Sequence, residues 1–134
     1  MAQRGLSLGL FGRFGRSAEL REFDKALRSV DLHPNVVPEA VKLTAVRLLR
    51  EHAPDGEPEL MSYRAATEIL AYCMIGGDAF AVANDAKLSS DVEGRIEAAL
   101  ESGTSLDAKL VLLTLHAQVI QPSVIADFRL ESGD

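Results

Sequence analysis

The chain has 134 residues, 47% of them hydrophobic and 25% charged, with 10 Gly, one Cys and no Trp. These values exclude a disordered chain, a collagen-like repeat and a disulfide-stapled scaffold. The net charge of −6 is unevenly spread: residues 1–28 hold six basic and three acidic side chains, a net of +3, so the other 106 residues carry −9. An acidic body repels phosphate backbones, and duplex nucleic acid is not an expected partner.

Residues 1–16 form a compositional zone of their own. Gly5, Gly9, Gly12 and Gly15 oppose a helix at about 1 kcal/mol each. Between them stand Leu6, Leu8, Leu10, Phe11 and Phe14, with Arg4, Arg13 and Arg16 and no acid before Glu19. The reading is a flexible apolar–basic arm over 1–16, ahead of a helical domain over 17–130 and a disordered tail over 131–134. The apolar part of the arm is too short and too broken for a signal peptide, and far short of the roughly twenty residues of a transmembrane helix. With Cys73 as the lone cysteine, no intrachain disulfide forms, and a cytoplasmic protein is expected.

From Ser17 onward the apolar residues recur at helical spacing. Ser17 suits an N-cap, and Leu20, Phe23, Leu27 and Val30 form one stripe of a helix over 18–30. It stops before His33-Pro34. Pro38 fits the first turn of a second helix over 37–52, lined by Val37, Val41, Ala45, Leu48 and Leu49. Ala53 to Glu59, with two prolines and a glycine, is a loop. A third helix over 60–75 presents Leu60, Met61, Ala66, Ile69, Leu70, Cys73 and Met74, with Arg64 and Glu68 spaced for an i,i+4 ion pair. Gly76-Gly77 ends it.

Asp78 suits the cap of a short helix over 79–87. Ser90-Asp91-Val92-Glu93 reads as a capping box opening a helix over 91–102, which Gly103 stops. Thr104 or Ser105 then caps a helix over 106–120. Its run Leu110 to Leu115 is apolar nearly all round, which predicts a central position and full burial of Leu112 or Leu113. Pro122 opens a last helix over 122–130. No repeat and no strand-like alternation of useful length appears. The expected fold is all-α: a compact single-domain bundle of six or seven short helices.

Chemistry is sparsely signalled. His33, His52, His116 and Cys73 are scattered and show no paired metal-ligand spacing. Their expected roles are caps or core contacts, and Cys73, on an apolar face, is an inert buried thiol. No catalytic, cofactor-binding or metal-binding residue is assigned. Glu93, Glu97 and Glu101, at i, i+4 and i+8, make either a solvated face or a docking surface for a basic partner or a divalent cation.

The arm departs most from an ordinary globular sequence. The expectation is therefore a small non-enzymatic interaction module, cytoplasmic and homo-oligomeric or bound to a protein partner. Leu8, Leu10, Phe11, Arg13, Phe14 and Arg16 are the contact residues. Contact of the arm with an anionic membrane surface is the lesser option. The alternative is a helical domain that binds a small molecule or a metal, or an enzyme, with a pocket near His116 and Cys73.

Overall fold

A computed structural model describes residues 18–130. The arm, with its contact residues Leu8, Leu10, Phe11, Arg13, Phe14 and Arg16, and the tail 131–134 lie outside the described residues. The described part is all-helical. The first helix, α1, covers 18–29. A 3-10 turn over Pro34–Val36 leads to α2 (Glu39–His52), α3 (Leu60–Ile75), α4 (Gly77–Ala83), α5 (Ala86–Ser102), α6 (Leu106–His116) and α7 (Pro122–Phe128).

The stripe of α1 goes where its spacing sends it: Phe23, Leu27 and Val30 are buried and Leu20 is half-buried. Two ion pairs fix its direction. Glu19 meets Arg50 at 3.6 Å and Asp24 meets Lys42 at 3.1 Å, so α1 and α2 run antiparallel. At the far end of α1, the Asn84 amide donates to the Val30 carbonyl at 3.1 Å, joining it to the end of α4.

The centre of the bundle is α3. Ile69, Leu70, Ala71, Tyr72 and Cys73 are consecutive and all buried, which requires neighbours on every side. Helices α2, α4, α5 and α6 all pack against it. Helix α6 is as central in its packing as its apolar run predicts, and what fails is the full burial expected of Leu112 or Leu113. That helix packs on α2, α3 and α5, and Leu110, Val111 and Thr114 are buried. Leu112 is 40% exposed and Leu113 only half-buried, so neither is fully buried. An all-round apolar run is buried all round only where partners surround it, and the outer side of α6 faces solvent. The first turn of α3 is a second correction: Leu60 and Met61 are 70% and 80% exposed.

Several boundaries also move, each through a cap the sequence pattern hid. Helix α2 starts at Glu39, with Pro38 as its N-cap at ψ 142°. Helix α5 starts at Ala86, because the Asp85 side chain accepts from the Leu88 amide at 2.6 Å. The expected capping box at Ser90 is therefore interior to the helix, and α4 closes at Ala83 to make room for the turn. Helix α6 ends at His116, where Gln118 turns left-handed (φ 61°) and the Val119 amide reaches back to the Thr114 carbonyl at 3.0 Å. Helix α7 ends at Phe128, with Arg129 left-handed at φ 56°. The cap of α6 is Ser105, whose hydroxyl accepts from the Ala108 amide at 3.1 Å.

The exposure pattern of α6 makes a direct test. Leu110→Ala removes a fully buried side chain and is expected to cost about 2–5 kcal/mol in chemical denaturation. Leu112→Ala is expected to cost less than about 1 kcal/mol. Equal losses at the two positions would contradict this placement of the helix.

Candidate functional site

Two open hollows indent the surface, at opposite ends of α3. The first lies where α2 ends and α3 begins. It has a volume of about 390 Å³, with Leu49, Pro54 and Leu106 as its apolar lining and Asp55, Glu57 and Glu59 as its acids. The Ala53–Glu59 loop forms one wall, and the Glu57 amide donates to the Asp55 carboxylate at 3.0 Å to hold its turn. His52 also lines this hollow; its Nε2 accepts from the Lys109 ammonium at 3.2 Å in the tautomer that pairs them. The exposed Leu60 and Met61 follow Glu59 directly.

The root of the arm is at this same end. Glu19 pairs with Arg50, two residues before His52. Burial first, then the charges of Glu19 and Glu22, push the phenol of Tyr63 on α3 above its ordinary value. Residue 18, the first described residue, is thus at the α2–α3 end of the bundle.

The second hollow lies at the other end of α3, with a volume of about 350 Å³. Tyr72 and Phe128 supply aromatic surface, at 6.2 Å between ring centroids and close to edge-on. Gly76 and Gly77 supply backbone, and Asp78, Glu93, Glu97 and Asp127 supply carboxylates. Local sequence explains this shape. Gly76, at φ 89° and ψ 160°, ends α3 and caps α4 in one residue, a conformation side chains with a Cβ rarely adopt. The Tyr72 hydroxyl then lies so close over Gly77 that a Cβ there would come within 2.6 Å of it. The Ser89 hydroxyl donates to the Gly77 carbonyl at 3.0 Å and ties α5 to this corner. Burial first, then the charges of Glu93 and Asp127, push the Tyr72 phenol up to about 12.

The structure does not bring the sequence-derived pocket residues together. Tyr72 lines the second hollow, but Cys73 faces the core at 0% exposure and His116 is exposed on α6. Neither Cys73 nor His116 lines either hollow. Burial pushes the Cys73 thiol up to about 12, opposed in part by the neighbouring Thr114 hydroxyl. A thiolate is the reactive form, so this environment disfavours reaction. His33 caps the 3-10 turn, its Nδ1 accepting from the Asn35 amide at 3.1 Å. Of the three glutamates at i, i+4 and i+8, Glu93 and Glu97 border the second hollow and Glu101 does not. Among the described residues, no three His, Cys, Asp or Glu side chains are placed to hold a metal ion together. No described helix is long and apolar enough to cross a membrane.

The most connected polar group is Arg95 on α5. Its guanidinium donates to both Asp107 oxygens, at 3.3 and 3.1 Å, to Glu68 at 2.9 Å and to the Ala65 carbonyl at 3.0 Å. Arg64 donates to the other Glu68 oxygen at 3.3 Å, the i,i+4 pair expected from spacing. The carboxylates and a carbonyl occupy the guanidinium, so this cluster reads as a strut between α3, α5 and α6. The sequence offered no signal for it, since Arg95 and Asp107 belong to different helices.

Comparison with protein-family models, with curated proteins and with solved structures finds no match.

Two measurements follow from the buried thiol and phenol. A thiol reagent is expected to label Cys73 slowly in the folded protein and rapidly after denaturation; fast native labelling would contradict the core placement. Cys73 and Tyr72 are both raised to about 12 from ordinary values of 9.0 and 10.0. The unfolded chain therefore releases these protons first, and stability is expected to fall as pH rises from about 9 towards 12. A melting temperature that stays flat over that window would contradict it.

Proposed function

We propose that the protein is a small non-enzymatic interaction module of the cytoplasm, whose N-terminal arm contacts a protein partner or a second copy of the chain. What supports this reading most is a coincidence of position. The described chain begins at the end of the bundle that also carries the exposed Leu60 and Met61 and a hollow with apolar lining and three acids. Exposed apolar side chains next to one another are a common mark of protein contact surfaces. The arm brings complementary chemistry, with Arg13 and Arg16 as cations and Leu8, Leu10, Phe11 and Phe14 as apolar groups. Ordering a glycine-rich segment is costly, and contact with another molecule is what offsets that cost.

Deletion of residues 1–16 is the test. The shortened chain is expected to keep its helical circular dichroism and its melting temperature. It is expected to lose the self-association, or the capture of partner, that the full chain shows in sedimentation and pull-down. A lower melting temperature with association unchanged would mean that the arm serves its own bundle, and the reading would fail.

A further inference from the structure

The Tyr72 hollow combines three features that an interaction arm does not explain. Its four carboxylates have no counter-ion: none of Asp78, Glu93, Glu97 and Asp127 takes part in an ion pair among the described residues, and no Lys or Arg lines the hollow. On α5 itself, Asp91 is paired with Lys87, and Glu68 on the neighbouring α3 is paired with Arg64 and Arg95. The second feature is Tyr72 itself. It is 5% exposed, yet its hydroxyl makes no hydrogen bond among the described residues. Every fully sealed side-chain polar atom there has a partner, so the hydroxyl opens into the hollow it lines. That hydroxyl is therefore free to take a partner from a molecule in the hollow. The third feature is the aromatic surface of Tyr72 and Phe128 beside the carboxylates.

Each feature asks for the same complement. Four uncompensated carboxylates draw a cation. A protonated phenol oxygen accepts from an N–H donor. Aromatic surface attracts an organic cation more strongly than it attracts neutral groups. No three of the carboxylates converge as metal ligands would, and the space of about 350 Å³ is far larger than a bare ion needs. We infer that the Tyr72 hollow binds an organic cation, an ammonium or guanidinium group, with Tyr72 accepting a hydrogen bond and Asp78, Glu93, Glu97 and Asp127 supplying the counter-charge. The group belongs either to a free polyamine or to a basic side chain of a peptide. This site is at the opposite end of α3 from the arm's root and does not rest on the arm's role.

The test uses the full-length protein at low ionic strength, with spermidine and, separately, a synthetic peptide of residues 1–16. Calorimetric titration and the shift in melting temperature are the readouts. Binding of spermidine assigns a free amine, and binding of the peptide alone assigns an arginine side chain. Tyr72→Phe, and Glu93→Gln combined with Asp127→Asn, are each expected to weaken binding about tenfold. Glu101→Gln, on the same helix but outside the hollow, is expected to leave it unchanged. Without ligand, the Glu93→Gln/Asp127→Asn variant is expected to melt no lower than the parent, since like charges in the hollow do not stabilise the free protein. The inference is overturned if neither probe binds, if the hollow's variants bind as the parent does, or if neutralising its carboxylates lowers the melting temperature. Failure here leaves the arm-deletion result untouched, and the reverse holds as well.

Discussion

Five consecutive residues of α3, Ile69 to Cys73, are buried, and of these only Tyr72 reaches the edge of a surface hollow. A helix of that kind has no stability of its own in solution; it exists because other helices cover it. The amphipathic helices α2 and α5 lay apolar stripes against it, α4 folds back on its end, and α6 fills the remaining side. The bundle is best understood as a set of covers for one apolar rod. Short helices suffice for this, since each has only to shield a few residues of α3.

Apolar covering is non-directional, and by itself would let the covers slide or rotate. The directional contacts sit where they prevent this. Arg95 binds α3 and α6 from α5 through four hydrogen bonds from its three guanidinium nitrogens, and planar guanidinium–carboxylate pairing tolerates little displacement. At the opposite end of α3, the Gln121 amide donates to the Cys73 carbonyl at 2.8 Å and brings α7 onto the rod. Polar groups thus set register while burial supplies the driving force. The cluster remains partly open to solvent, with Arg95 29% exposed, so its energetic contribution is that of a half-screened ion network.

Much of this was legible in the residues. The all-α class, the limits of α3 and the buried stripe of α1 follow from periodicity alone, because a 3.6-residue repeat of Leu, Val and Phe has one physical solution. What was not legible depended on residues far apart in the chain. Periodicity says that Leu110 to Leu115 are apolar but not which side of α6 gets covered, and Leu112 ended up outside. Leu60 and Met61 lie in register with the apolar face of α3, yet the helix begins beyond the edge of its neighbours. The competition between Asp85 and Ser90 for a helix start was decided by a single hydrogen bond from Leu88. The Tyr72 hollow has no linear signature: its residues come from α3, α4, α5 and α7, and in the sequence Gly76, Gly77, Asp78 and Ser90 read only as helix ends and caps, Glu93 and Glu97 as a charge pattern.

The two glycines that join α3 to α4 make unlike demands on substitution. Gly76 is needed for its backbone angles, and no change elsewhere in the chain relieves a side chain forced to φ 89°. Gly77 is needed for space, because the Tyr72 hydroxyl occupies the volume a methyl group would take. The second demand is therefore conditional on residue 72 and the first is not. Trimming the ring to phenylalanine eases entry of alanine at 77, while position 76 stays closed to it. Neighbours in sequence thus differ in kind: one is an absolute constraint on the chain, the other half of a pair that can change together.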